Sequence, residues 1–287
     1  MDGRDARVNV FVSRAVVSMT SGLVVDGDEA LLVDPGVLPD ELARLSRAVM
    51  AAGAEVRTIF LTHHHWDHVF ATGRWPAATT VAHARFEACL EAAGGAAPVH
   101  DAVRETYRAH GFPMPVPPAM PAPGRRLAEG AEVNVGRLGG RVLHLPGHAP
   151  DAVGLLLPEL KVLFSGDMLD PVELPLPEHD VELYLRSLDR IGGLVTRGEV
   201  ARVVPGHGFV LESPERIAAQ VARDRHYVEV LGRTAAEAAR AKEDLPAAWG
   251  RFARLNYLGK GEPPRDAEHR GNAAAALRQA SAQSRQS

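Results

Sequence analysis

Metal-binding side chains are crowded into the segment from Thr62 to His68, where the sequence reads THHHWDH. In an extended segment, residues two apart point in the same direction, so His63 and His65 can converge on one metal ion. A turn after them would bring Asp67 and His68 towards a second position beside the first. Imidazole and carboxylate ligands together suit zinc, with iron and manganese as alternatives.

Three further residues are placed to complete such a site. His148 and His207 each follow a strand-length apolar run and a Pro-Gly pair, and Asp167 follows an apolar run that ends in Ser165-Gly166. A side chain at such a position projects from a loop at the edge of a sheet. Together with the cluster at 62–68, these turns predict a His/Asp metal centre built from distant parts of the chain.

The segments that must position these side chains alternate between strand and helix patterns. Short apolar runs predict strands, with a hairpin at Asp26-Gly27, over 8–12, 22–25, 30–33, 56–61, 79–82, 132–135, 141–145, 153–157, 161–164 and 200–204. Helical spacing of apolar residues predicts helices over 39–52, 84–93, 101–109 and 181–191. We therefore expect an α/β protein in which two runs of strands form two sheets, with helices outside.

Two regions fall outside this alternation. Residues 94–126 are rich in proline and are interpreted as an insertion in a catalytic domain of residues 1–212. We expect this insertion to be a substrate lid with the apolar lining Tyr107, Phe112, Met114 and Met120. Residues 213–287 are predicted to form a C-terminal helical region that begins with Ser213 as N-cap and Pro214 as first helical residue, and that ends in a flexible tail.

The composition excludes several classes of protein. The single cysteine, Cys89, excludes a disulfide framework and any multi-cysteine zinc or iron–sulfur site. The formal net charge of −4 argues against a general nucleic-acid binder. No apolar run approaches the roughly 18 residues that a transmembrane helix needs, and the charged start of the chain does not resemble a signal peptide. We expect a cytoplasmic enzyme with a small-molecule substrate, and neither nucleic acid nor a membrane as its partner.

With these motifs in this order, residues 10–212 resemble the metallo-β-lactamase superfamily, and in particular its glyoxalase II-like thioester and ester hydrolases. The resemblance implies a four-layer αββα sandwich of two mixed sheets, with a dinuclear metal site at one sheet edge. It implies seven metal ligands, namely His63, His65 and His148 for the first metal, Asp67, His68 and His207 for the second, and Asp167 bridging both. Asp34 matches a buried aspartate that supports the metal loop. Because an aspartate fills the bridging position, the β-lactamases that ligate their second zinc through cysteine are disfavoured.

The ligand chemistry and the resemblance together predict a metal-dependent hydrolase with two Zn²⁺ per chain, or with Fe or Mn in their place. Two neighbouring metals lower the pKa of a shared water, and the resulting bridging hydroxide would cleave a small ester, thioester or lactone. Asp67 and Asp167 are expected to orient that hydroxide and are the predicted catalytic residues. We expect the substrate to carry an acyl or apolar part, with β-lactam hydrolysis as a minor activity at most.

Two other functions within the superfamily stay open at this point. One is a phosphodiesterase or nuclease, although such relatives usually carry basic grooves that the net charge of −4 does not support. The other is a mononuclear iron persulfide dioxygenase, which often leaves the second metal site empty. The full set of second-site residues favours the dinuclear hydrolase. The long C-terminal helices offer a surface for a homodimer, and His64 is expected to face away from the metals.

Overall fold

Two β-sheets packed face to face form the centre of the protein. The computed structural model describes residues 6–113, 120, 122–255, 257 and 266–285. The first sheet has six strands, which follow one another in chain order: β1 (Arg7–Val12), β2 (Thr20–Asp26), β3 (Glu29–Val33), β4 (Glu55–Phe60), β5 (Thr79–His83) and β6 (Arg125–Leu127). Strands β1 to β3 are antiparallel, and β3 to β6 are parallel, so this sheet is mixed.

The second sheet is also mixed and has four strands. In chain order they are β7 (Arg141–His144), β8 (Val153–Leu157), β9 (Val162–Gly166) and β10 (Arg202–Pro205), and their order across the sheet is β10-β9-β8-β7. Strand β8 is antiparallel to both of its neighbours, whereas β10 is parallel to β9. The carboxyl ends of β9 and β10 therefore lie side by side.

Side chains alternate between two buried environments along the central strands. Leu31 and Val33 of β3 pack between the sheets, in the same cluster as Phe164 of β9. Leu32 points the other way and packs beneath the outer helices with Leu45. Because both faces of such a strand are buried, its sequence is a continuous apolar run rather than an alternating one.

Helices cover the outer face of each sheet. The first sheet is covered by α1 (Pro39–Ala52), α2 (Trp66–Val69), α3 (Phe86–Ala92) and α4 (Ala96–Ala109). The second sheet is covered by α5 (Val181–Thr196), α6 (Pro214–Arg240), α7 (Leu245–Phe252) and α8 (Asp266–Gln283). The predicted α/β architecture, a four-layer αββα sandwich of two mixed sheets with outer helices, is confirmed.

The C-terminal helices share a core with the rest of the protein. Leu188 of α5 and Val203 of β10 pack in one cluster with Leu231 of α6 and Leu277 of α8. Helix α6 begins as predicted, with the Ser213 hydroxyl accepting a hydrogen bond from a backbone amide of the first turn. The C-terminal helical extension is confirmed, while the division into domains 1–212 and 213–287 stays a prediction. No helix among the described residues combines the length and the apolar character needed to cross a bilayer.

The predicted strand at 132–135 is wrong. Val133 and Val135 are buried between the sheets as their alternation suggests, but the segment makes only isolated bridges. Gly130 and Gly136 flank it with positive φ angles of 75° and 56°, so the chain turns at both ends before a ladder can form. The alternation of Val133 and Val135 therefore indicates burial of these side chains but not pairing of a strand.

The predicted insertion at 94–126 is more regular in its first half than expected. Helix α4 spans Ala96–Ala109 rather than 101–109, and it buries Val99, Val103 and Tyr107 against the first sheet. Phe112 and Met120 pack against the same cluster. Met114 lies outside the described residues, as do the last residues of the predicted flexible tail.

Candidate metal centre

The predicted ligands gather where neighbouring strands end. The loop 62–68 follows β4, Asp167 follows β9 directly, and His207 lies two residues beyond β10. His148 lies in the turn between β7 and β8. All seven predicted ligands fall into two groups of mutually close ligand atoms, one with His63, His65, His148 and Asp167 and the other with Asp67, His68 and His207.

The first group converges through four side chains. His148 Nε2 lies 3.0 Å from His65 Nδ1, so these two nitrogens face each other. Asp167 Oδ2 lies 3.5 Å from His63 Nε2 and 3.3 Å from His148 Nε2. Three imidazole nitrogens and one carboxylate oxygen thus converge on one small volume, which is the donor set that four-coordinate zinc prefers.

The second group lies on the other side of the Asp167 carboxylate. Asp167 Oδ1 is 3.2 Å from His68 Nε2, and Asp167 Oδ2 is 3.6 Å from His207 Nε2. Asp67 Oδ2 lies 3.6 Å from His68 Nε2 and 3.5 Å from His207 Nε2. The Asp167 carboxylate is therefore within reach of both groups, as the predicted bridging position requires.

Buried polar atoms without hydrogen-bond partners point into this space. His63 Nε2, His68 Nε2 and Asp167 Oδ1 are buried, and none of them makes a hydrogen bond. Such an arrangement is costly unless another group satisfies these atoms. The residues therefore fit divalent cations, and their imidazole and carboxylate donors suit zinc, iron or manganese.

Backbone carbonyls orient two of the imidazoles. His148 Nδ1–H donates to the carbonyl of Leu176 over 3.0 Å, and His207 Nδ1–H donates to the carbonyl of Val16 over 3.0 Å. Because a carbonyl can only accept, each ring carries a proton on Nδ1 and turns Nε2 into the site, where a metal can replace a proton on this nitrogen. Outer contacts of this kind fix the tautomer and the orientation of metal-binding histidines.

Asp34 orients two further rings, His68 directly and His63 through Thr62. Its Oδ2 accepts hydrogen bonds from His68 Nδ1–H at 2.8 Å and from the Thr62 hydroxyl at 2.6 Å, and its Oδ1 accepts from the Thr62 amide at 2.8 Å. The Thr62 hydroxyl in turn accepts from His63 Nδ1–H at 3.0 Å. Asp34 itself has a positive φ of 42°, a strained conformation for a residue with a side chain. The strain is offset by a carboxylate that positions two rings at once.

The charges of the site compensate one another. Burial, together with neighbouring imidazoles, lowers the pKa of His63 and, more strongly, of His65. Burial opposes protonation of His68 and His207 as well, but nearby carboxylates, Asp167 first, outweigh it and raise the pKa of His68 well above its usual value and that of His207 to about 10. Burial alone would raise the pKa of Asp167, yet these imidazoles hold it well below its usual range. A cation bound by His68 and His207 would therefore displace protons from their rings.

Two glycines permit the close approach of the loops. Gly147 has a φ of 137°, and an added Cβ there would overlap the backbone of Tyr184 in α5. An added Cβ on Gly206 would overlap the Asp167 carboxylate. Both glycines immediately precede a predicted histidine ligand, so the Pro-Gly-His turns are needed for packing as well as for chain reversal.

A family model of the metallo-β-lactamase superfamily matches residues 16–207, which contain every residue of both groups. The protein belongs to the metallo-β-lactamase superfamily. The resemblance predicted from the sequence motifs is thereby confirmed. This fold is one that binds divalent metal ions, and the two ligand groups described above lie at the sheet edge that the resemblance implies.

Three relatives within the superfamily illustrate the branch. The chain is 32% identical to acyl-coenzyme A thioesterase MBLAC2 of Gallus gallus over 68% of its own length and 74% of the relative's. It is 28% identical to hydroxyacylglutathione hydrolase of Cereibacter sphaeroides over 72% of its length and 68% of the relative's. The crystal structure of TTHA1623 in a di-iron-bound form is 30% identical, has a TM-score of 0.54 and covers 74% of this chain and 98% of its own.

A hydrogen bond behind the first ligand group joins two of the superfamily loops. His64 faces away from the predicted metals, and its Nδ1–H donates to Asp151 Oδ1 over 2.7 Å. Asp151 is fully buried and lies three residues after His148. Cys89 is half-buried beside this pair, and burial together with Asp151 raises its pKa to about 11, so the thiol stays protonated. The His64–Asp151 bond therefore ties the 62–68 loop to the loop of His148.

Sequence reasoning missed three acidic residues near the site. Asp151 follows the Pro-Gly-His turn by three residues and has no local pattern that predicts its role. Asp170 Oδ1 accepts a hydrogen bond from the His207 amide at 2.9 Å, and Glu173 Oε2 lies 3.8 Å from His207 Nδ1. Burial raises the pKa of Glu173 to about 7. The signal in the sequence is the close spacing of Asp170 and Glu173 after Asp167.

Proposed function

We propose that this protein is a dinuclear-metal hydrolase that cleaves a small ester, thioester or lactone. The observation that carries the proposal is the shared carboxylate: Asp167 lies within 3.6 Å of nitrogens in both ligand groups. Two groups that share one bridging oxygen donor are the arrangement that two-metal hydrolases use. The relatives of this protein described above are named as hydrolases of thioesters, which supports the same reaction class.

The proposed ligands are divided between the metals as the two groups suggest. The first metal would be held by His63, His65 and His148, the second by Asp67, His68 and His207, and both by Asp167. When bound, the cations supply Lewis acidity, which polarises a substrate carbonyl and lowers the pKa of water towards about 7. Zinc is the metal we propose, and iron is the alternative that the di-iron form of TTHA1623 supports.

The chain's own side chains then do three things. Asp67 and Asp167 present carboxylate oxygens that can accept a hydrogen bond from the attacking water and so orient its lone pair towards the carbonyl. Asp34 keeps the His68 ring in one tautomer through the bond to Nδ1. His63, His68, His148, His207 and Asp67 are buried, which strengthens these charge interactions, while His65 is partly exposed and lies at the open side of the site.

The second ligand group favours this reaction over the alternatives. A mononuclear iron persulfide dioxygenase needs only the first group, whereas Asp67, His68 and His207 here form a complete and oriented second group. The acidic net charge of −4 gives no support to a nuclease. The substrate lid at 94–126, the homodimer, the absence of nucleic-acid partners and the cytoplasmic location stay predictions.

The test combines metal analysis with a substrate panel. The purified protein, loaded with zinc, is assayed against thioesters, esters, lactones, β-lactams and phosphodiesters, and its metal content is measured by mass spectrometry. We expect two metals per chain and fastest turnover of a thioester, ester or lactone. In His63→Ala, both the metal content and the turnover should fall. His226→Ala, which removes an exposed histidine of α6, is the matched control and should change neither quantity. One iron per chain with oxygen uptake, or turnover of phosphodiesters alone, would overturn the proposal.

A further inference from the structure

Exposed apolar side chains are concentrated on one side of the metal centre. Among the described residues, the large hydrophobic side chains that are exposed are Val12, Val17, Met50, Val172 and Phe209. Three of them, Val17 at 37%, Val172 at 37% and Phe209 at 51%, lie in three loops that surround His207. We call these three residues the apolar rim. Exposed apolar groups at the mouth of a site mark a surface that binds something apolar.

The three loops of the apolar rim are in direct contact. The Gly208 amide donates a 2.8 Å hydrogen bond to the carbonyl of Ser18, next to Val17 in the chain. A Cβ added to Gly208 would lie 3.0 Å from Val172 Cγ2, so the Val172 side chain rests on the backbone that leads into Phe209. Val17 therefore lies between two residues whose carbonyls bind His207 or Gly208, Phe209 follows Gly208, and Val172 contacts Gly208 directly.

The backbone holds Val17 in this position at a cost. Val16, Val17 and Ser18 have consecutive positive φ angles of 50°, 51° and 60°. Left-handed backbone is unfavourable for β-branched residues, and such strain persists only where the surroundings enforce it. Here the Val16 carbonyl is fixed by His207 Nδ1–H, and the same turn leaves the Val17 side chain exposed. The strained turn therefore both orients the His207 imidazole and places Val17 in the apolar rim.

The opposite side of the site is polar. Glu178 Oε2 lies 4.0 Å from His65 Nε2, and its side chain is 52% exposed. His179 follows it and is held by a 3.0 Å hydrogen bond from its amide to the carbonyl of Gly147. A substrate whose carbonyl reaches the metal centre would meet apolar side chains on the His207 side and polar ones on the His65 side.

We propose that Val17, Val172 and Phe209 form a subsite for the alkyl part of the acyl group. The alkyl chain lies across the apolar rim, and the polar leaving group extends over Glu178 and His179. This inference rests on the proposed hydrolase function and names its substrate class, a thioester or ester of an alkyl acyl group longer than acetyl. Of the residues expected to line the lid, Tyr107 is buried in the core and its hydroxyl donates to the carbonyl of Val37 over 3.2 Å, so it is not part of this subsite.

The test is a series of N-acetylcysteamine thioesters from acetyl to hexanoyl, assayed on the metal-loaded, full-length protein. Complete burial of a methylene would raise kcat/KM about fourfold. An open rim should provide about half of that free energy, which corresponds to about twofold per methylene. The hexanoyl thioester should therefore exceed the acetyl thioester about 16-fold in the wild type. In Phe209→Ser/Val172→Ser the ratio should fall below about fourfold. Phe209→Leu, which keeps an apolar side chain, should retain most of the rise.

Met50→Ser is the matched control. Met50 is 77% exposed near the end of α1, at the sheet edge opposite the metal centre, so its removal should leave the chain-length ratio unchanged. Metal content and thermal midpoint measured on every variant show that the site and the fold are intact. An equal chain-length ratio in the wild type and in Phe209→Ser/Val172→Ser overturns the subsite. Failure of the wild type to cleave any ester or thioester overturns the proposed function instead, so the two failures are distinguishable.

Discussion

The hydrogen bond between His64 and Asp151 should control how tightly the first metal is held. It is a buried side-chain connection between the loop of His63 and His65 and the loop of His148, and its two residues lie 87 positions apart in sequence. Removing it should let these loops separate and misplace the His148 imidazole relative to the other ligands. The perturbation is a double-mutant cycle of His64→Ala and Asp151→Ala.

The magnitude follows from burial. Asp151 is fully buried, so His64→Ala leaves a buried carboxylate without its partner, which costs about 3–5 kcal/mol of unfolding free energy. The double variant removes the unpaired charge as well, so its loss should be smaller than the sum of the single losses by about 2 kcal/mol or more. Loss of an outer contact in a metal site typically weakens metal affinity by roughly 10–100-fold. Only the first metal should be affected to this extent.

The assay measures both quantities. Urea unfolding of the metal-free proteins gives the coupling free energy, and competition with a chromophoric chelator gives the affinity of each metal. His226→Ala serves as the control, because that residue is exposed on α6. Two results together would refute the idea that this pair holds the ligand loops in place. The losses of unfolding free energy in the cycle would be additive, and the affinities of both metals would be unchanged.

Three further predictions follow from single positions. Gly206→Ala should displace the Asp167 carboxylate, which an added Cβ would overlap, so metal analysis should find depleted metal in a protein whose circular dichroism is unchanged; full metal content would contradict this. Asp180→Ala removes the N-cap of α5, which accepts a 2.8 Å hydrogen bond from the Leu183 amide, and should cost about 1 kcal/mol in urea unfolding; an unchanged midpoint would speak against it. Burial raises the pKa of Asp224 to about 7. Between about pH 4 and pH 7 the folded protein therefore keeps a proton that the unfolded chain has released, so the free energy of unfolding falls as pH rises through this range. Relative to the wild type, Asp224→Asn should therefore be more favoured at about pH 8 than at about pH 5, by up to about 3 kcal/mol, and a pH-independent difference between the two proteins would exclude this role.

The sheets and the candidate ligands were predictable from the sequence because their signals are local. His63 and His65 alternate along an extended segment, and His148 and His207 each follow a Pro-Gly pair at the end of an apolar run. Local geometry is enough to place such side chains at a sheet edge. The order of the motifs along the chain then supplied the resemblance that the family model confirms.

Contacts between distant segments could not be predicted in this way. The pairing of His64 with Asp151 depends on how two loops approach in three dimensions, and neither residue has a local pattern that reveals it. The sequence analysis did not predict the first turns of α4, which contain Pro98. Proline is tolerated there, since it lies in the first turn, where its missing amide hydrogen has no partner in any case.

The apolar rim illustrates a second limit. Val17, Val172 and Phe209 are ordinary residues in loops, and nothing in their spacing indicates that they meet. Their proximity results from the contacts of Gly208 with two other loops. The apolar residues that did stand out in the sequence, around Tyr107, are the ones that the core absorbs.

The central claim is that two metals share the Asp167 carboxylate, and anomalous diffraction from crystals of the zinc-loaded protein tests it most directly. We expect two peaks at the zinc edge, one within the group of His63, His65 and His148 and one within the group of Asp67, His68 and His207, with Asp167 between them. A single peak, or peaks elsewhere in the molecule, would contradict the account.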